Sequence, residues 1–355
     1  MFTASFDYSR HSSTSWCLRI QLIKILFLIC ALRGAAANNE WKLESLHAAF
    51  SPRDSATVVN HQGKLYLSNG YYHGNIDLRD LYVSDDGLNW RKVHGSTPYD
   101  RYSTLVSLNG RLLAISDTVW VSTNGTKWHL LAEELPWSRS RLGILRKTVL
   151  FLLKSIPKRK GYYLAERFAI VPPEIVTFNN AVYAIGGDQK KVWRSEDGLR
   201  WQEIVDNLPF GVLYKPKVLV LKNSIYLLGG WRLRGILENA ELGYEDYITI
   251  NEVWISNDGA NWKRLKNKAA WSPRMWPALC VVSEKIYLAG GYSNVFNKNL
   301  NDCWISDNGT DWERVETGWA ARHAAAMIGY KDRVWLLGGN TWPVCNEIWS
   351  MNARN

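Results

Sequence analysis

Short apolar runs alternate with polar turns along this chain, and the alternation repeats six times from residue 41 onward. Each unit offers an apolar run, a polar turn, a second apolar run ending near paired glycines, a loop of variable length, and a third run. A turn and a fourth run follow. The second run is clearest at Val182–Gly187, Ile225–Gly230, Ile286–Gly291 and Val334–Gly339. It is degraded at Leu65–Gly70, and Leu112–Asp117 lacks glycine. Runs of four to six apolar or alternating residues bounded by Gly, Asn and Asp predict strands rather than helices.

The turn before the fourth run is the most regular feature. Ser-x-Asp/Asn-Gly-x-x-Trp occurs five times, at Ser84–Trp90, Ser122–Trp128, Ser195–Trp201, Ser256–Trp262 and Ser306–Trp312. Asp-Gly and Asn-Gly between strand-like runs are strong hairpin signals, on the expectation that both central residues adopt positive φ. The serine hydroxyl can hold the turn backbone. Four antiparallel strands per unit, six units and paired glycines predict an all-β, six-bladed propeller over residues 38–355. The sixth unit lacks a turn and fourth strand, and Asn39–Leu43 resembles the fourth strand at Asn89–Val93. The N-terminal strand is therefore expected to complete the last blade, and each fourth-strand Trp to pack between blades.

The Gly-Gly and spaced-aromatic pattern resembles the kelch-type β-propellers of the galactose-oxidase-central-domain kind, over roughly residues 41–355. That resemblance implies a rigid ring with binding or catalytic residues on its loops. Similar propellers include sugar mutarotases, oxidases and protein-interaction scaffolds.

Composition narrows the class without naming a reaction. Apolar residues are 46% and charged residues 21% of 355, which excludes collagen-like and disordered chains. Nineteen Trp and 17 Tyr against 9 Phe point to a repeated structural ring, an aromatic binding face, or both. The net charge of +10 is concentrated in two places, so a general nucleic-acid surface is not expected. Residues 1–37 hold four basic residues, Arg10, Arg19, Lys24 and Arg33; the apolar run Ile25–Leu32 follows Lys24, and Ala35–Ala37 supplies small residues after it. This reads as a signal peptide or N-terminal anchor, hence an exported protein. Residues 138–160 form a basic amphipathic insertion between blades two and three. Helically spaced apolar residues stand there among Arg141, Arg146, Lys147, Lys154, Lys158, Arg159 and Lys160. An interfacial helix on an anionic membrane is one expectation, a helix packed on the propeller side another, and a degenerate seventh blade a third. Cys280, Cys303 and Cys345 form neither a disulfide framework nor a metal set.

Topology puts the second-to-third-strand loops and the blade-to-blade connections on one face. Rings on those loops include Trp231, and an Arg recurs at the entry of the innermost strand: Arg53, Arg101, Arg274 and Arg322. With Lys215, Tyr102, Trp276 and His323, these are the expected ligand-binding residues of a monomer. A guanidinium fork suits carboxylate or sulfate, so an anionic or decorated carbohydrate, or another small acidic ligand, is the expected partner. The same arginines could instead tie blades together through backbone carbonyls. His323 is the candidate proton carrier if the protein is a carbohydrate-active enzyme of the mutarotase, epimerase or hydrolase kind. No P-loop, Gly-x-Ser-x-Gly or dinucleotide fingerprint appears, and no cofactor or metal is expected.

Overall fold

In the computed structural model, the described residues are 40–72, 76–138, 172–187, 190–233 and 247–354. The leader, and the insertion from residue 139 with Arg141, Arg146, Lys147, Lys154, Lys158, Arg159 and Lys160, lie outside them. From Trp41 onward the chain forms one compact unit of six four-stranded antiparallel sheets, a six-bladed β-propeller. No helix occurs among the described residues.

Blade one is Thr57–His61, Lys64–Ser68, Leu81–Ser84 and Trp90–His94. Blade two is Thr104–Leu108, Arg111–Ile115, Val119–Ser122 and His129–Ala132. Blade three is Glu174–Phe178, Ala181–Gly186, Lys191–Ser195 and Gln202–Val205. Blade four is Lys217–Leu221, Ser224–Leu228, Val253–Ser256 and Lys263–Lys266. Blade five is Ala278–Val282, Lys285–Ala289, Cys303–Ser306 and Glu313–Val315. Blade six is Ala326–Tyr330, Arg333–Asn340 and Val344–Asn352, with Lys42–Ser45 paired to its third strand. We letter the strands a to d in each blade, a being innermost.

The core is distributed between the blades rather than gathered at one centre. Six apolar clusters each join a pair of neighbouring blades, including blade six with blade one. Each strand-d Trp belongs to one of them. Trp90 packs with blade six, Trp262 with blade three and Trp41 with blade five. Five of these indoles donate to the carbonyl of their own turn glycine, as Trp262 does to Gly259 at 3.0 Å. One residue thereby seals a blade interface and fastens the turn beside it.

The turns themselves differ from expectation in one respect. Only their glycines have positive φ, as at Gly87 with 86°; the preceding Asp or Asn does not. The carboxylate works as an acceptor instead. Asp86 Oδ1 receives the N–H groups of Leu88 and Asn89 at 2.9 and 2.7 Å, and Ser84 Oγ receives that of Gly87 at 2.9 Å. Burial raises the Asp86 pKa, but the Asn89, Leu88 and Ser84 bonds outweigh it and bring it down to about 2. The glycine also admits the neighbouring blade: a Cβ on Gly259 would lie 2.4 Å from Tyr183 Cε1.

Candidate functional site

The b–c loops and d–a connections meet on one face. Three b–c loops are two-stranded extensions: Tyr71–Tyr72 with Ile76–Asp77, Trp231–Leu233 with Tyr247–Thr249, and Tyr292–Ser293 with Lys298–Asn299. Isolated bridges fasten them to strand-a entries, pairing Asp54 with Tyr71, Tyr214 with Trp231, and Met275 with Tyr292; in blade six His323 pairs likewise with Asn340 at the end of strand b. One residue beyond each of these four bridge positions, Ser55, Lys215, Trp276 and Ala324 hold left-handed backbone. Ser55 N–H donates to Ala324 O at 2.8 Å and Ala324 N–H to Trp276 O at 2.9 Å, which joins neighbouring blades.

The arginines do not form the expected cationic ring. Arg53, Arg274 and Arg322 are 1%, 0% and 1% exposed, and each is saturated by its own blade. Arg274 donates to Ser272 O at 2.9 Å, Gly290 O at 2.8 Å, and both Asp302 oxygens at 2.6 and 2.7 Å. Arg53 repeats this with Asn69 O and Asp80, and Arg322 with Gly338 O and Glu347. An acid two residues before the strand-c ring is the partner: Asp80 before Tyr82, Asp302 before Trp304, Glu347 before Trp349. Burial pushes the Asp302 carboxyl up, and its bonds to Arg274 more than reverse this. Blade four has the acid, Glu252, but Leu213 at the arginine position, and Arg232 reaches in to take it at 2.9 Å. In blades two and three that acid position holds Thr118 and Lys191. Fold, not ligand, employs the three buried guanidiniums.

Arg101, whose blade holds Thr118 at the acid position, forms an ion pair with Asp77 of blade one. Its guanidinium lies 4.8 Å from the ring centres of both Tyr71 and Tyr102, whose hydroxyls bond to each other. Burial, then the Tyr102 bond, push the Tyr71 pKa upward. Lys215 comes from blade four to within 5.6 Å of the Tyr102 ring, spanning blade three. Trp231 stacks on Tyr214 at 4.1 Å. The expected residues Arg101, Tyr102 and Lys215 are thus brought together, with Trp231 beside Lys215's neighbour.

A second group assembles on blades five and six. His323 lies 5.3 Å from Trp276, 5.5 Å from Trp342 and 6.2 Å from Tyr292, ring centre to ring centre. Its Nδ1 meets Asn299 Oδ1 at 2.8 Å, and Asn299 Nδ2 donates to Asn340 O at 2.8 Å. Asn340 Nδ2 donates to Asp54 Oδ2 at 3.1 Å, while its Oδ1 receives Trp342 N–H at 2.9 Å. Burial pulls the His323 pKa down to about 4, so the ring is neutral near pH 7. It also raises that of Asp54, which the Asn340 bond only partly offsets. Trp342, Asn299 and Asn340 were not singled out from the sequence. Trp342 was visible only as a ring on a b–c loop, and the two amides carry no local signature.

No group of metal-ligating side chains occurs among the described residues. No family model matches the chain, and no curated protein does either.

Proposed function

We propose that this is an exported kelch-type propeller that binds carbohydrate through its b–c loop face. The observation that carries the reading is the pair Trp276 and Trp342. They lie 5.3 and 5.5 Å from His323, ring centre to ring centre, and Trp342 is 69% exposed. An exposed indole beside a fixed imidazole and amides suits a sugar, whose apolar ring face stacks while its hydroxyls pair. The pairing of Lys42–Ser45 with the last strand supports a closure role for the N-terminal segment, which would hold the mouth rigid.

The test is a glycan array followed by calorimetric titration of the hits. Trp342→Ala should weaken binding about tenfold. Absence of any glycan hit, or a hit indifferent to Trp342→Ala, would refute the reading. One observation favours protein docking as the second reading. Of eight exposed large apolar residues among the described ones, Leu46, Ile76, Tyr102, Val295, Phe296 and Trp342 all lie on this face.

A further inference from the structure

We propose that the mouth selects an uncharged, hydroxyl-bearing sugar ring, with His323 Nε2 accepting a hydrogen bond from a ligand hydroxyl, and disfavours acidic sugars. This deepens the carbohydrate reading and rests on it.

The hydrogen-bond directions follow from one backbone group. A carbonyl oxygen can only accept, so the side-chain atom of Asn299 facing Asn340 O, 2.8 Å away, is its nitrogen. Its oxygen then faces His323 Nδ1, which must carry the ring proton. In a neutral imidazole the other nitrogen is left as a lone-pair acceptor. Nε2 makes no hydrogen bond among the described residues and keeps contact with solvent. The second amide is fixed in the same way. Trp342 N–H occupies Asn340 Oδ1, so Asn340 Nδ2 points at the Asp54 carboxyl. The chain of bonds from His323 through Asn299 and Asn340 to Asp54 ties blades five, six and one. It leaves the Nε2 lone pair of His323 as an acceptor beside Trp276 and Trp342.

Charge argues the same way. The three guanidiniums nearest the strand-a entries of these blades, Arg274, Arg322 and Arg53, are buried in ion pairs. Arg101 and Lys215 stand with Tyr102 above blades two to four, across the opening from His323 in blade six. An acid group set against His323 would meet a lone pair and the Asp54 carboxyl, while Arg53, Arg274 and Arg322 are already taken by their own acids. A hydroxyl there donates to Nε2 while its ring stacks on Trp342.

The experiment titrates the full chain with neutral oligomers of glucose, galactose, xylose and N-acetylglucosamine, and with glucuronate and galacturonate oligomers. Wild type should bind at least one neutral oligomer about tenfold more tightly than its uronate counterpart. His323→Phe, which keeps a ring but loses the acceptor, should weaken that binding about tenfold and erase the discrimination among singly deoxygenated versions of the ligand. Asn299→Ala, which frees the imidazole without removing it, covers the case in which His323→Phe fails to fold. It should weaken binding severalfold. Tighter binding of uronates with retained Trp342 dependence would overturn this proposal and leave the carbohydrate reading standing. No binding by either series would end both.

Discussion

Arg274 holds Asp302 by two parallel hydrogen bonds, Nη1 to Oδ1 at 2.6 Å and Nη2 to Oδ2 at 2.7 Å, with no guanidinium surface left to solvent. The same pair recurs in blade one as Arg53 with Asp80, and in blade six Arg322 bonds Glu347. It joins the start of strand a to the start of strand c through the Gly-Gly turn carbonyl. Removing one partner leaves a buried charge unmatched. Arg274→Ala is expected to cost about 3–5 kcal/mol, and replacement of both partners by apolar residues much less. Urea unfolding of the single and double variants checks this.

The pair also sets an acid limit. Burial alone would raise the Asp302 pKa, but Arg274 holds it below its usual value of 3.8. A carboxyl depressed in the folded state contributes stability above its unfolded pKa and loses it as pH falls through the folded one. Part of the acid destabilisation below about pH 4 should therefore vanish in Asp302→Asn. Melting temperatures of both proteins from pH 2 to 6 provide the comparison.

His323 titrates with the opposite charge but in the same direction. Its pKa falls from 6.5 to about 4 because burial disfavours the imidazolium. The unfolded chain then takes up the proton first, so stability declines as pH drops from about 6.5 to 4 and levels off below. The span corresponds to roughly 3 kcal/mol. His323→Phe should flatten that stretch of the stability profile; an unchanged slope would contradict the burial of the ring.

Glycines with the same φ separate backbone strain from blade contact. Gly63 and Gly259 have φ of 78° and 79°, yet an added Cβ meets nothing within 4 Å at Gly63 and Tyr183 at 2.4 Å at Gly259. Gly63→Ala should cost about 1–2 kcal/mol and Gly259→Ala distinctly more. Equal losses would mean that the turn does not press on the neighbouring blade.

Trp342 and Trp271 make a matched pair of indoles. Trp342 is 69% exposed and Trp271 fully buried between blades four and five. Trp271→Ala should cost about 3–5 kcal/mol. Trp342→Ala should change stability by no more than about 0.5 kcal/mol, its effect falling on ligand affinity instead. Thermal unfolding of both variants measures the contrast.

Strands, turns and blade number were legible in the chain because they depend on residues close in sequence. The period-two runs place Leu65 and Leu67 in one blade interface, and Ser84, Asp86 and Gly87 close their turn within four residues. The fate of the arginines was half legible. Asp80, Glu252, Asp302 and Glu347 stand two residues before a strand-c ring, and Thr118 and Lys191 mark the blades without the acid. That register predicts which arginines are buried, but it becomes a contact only when strand a lies beside strand c across the Gly-Gly turn.

What the sequence by itself determined was a set of six like sheets with one loop-bearing face, since local hydrogen bonding and alternating burial need only neighbours along the chain. Which side chains remain at the mouth was decided by the tertiary structure alone. Asn299 reaches His323 across 24 positions, and Asn340 reaches Asp54 across 286. Such partners are chosen by how the ring brings blades five, six and one together, and no spacing within a single repeat encodes that distance.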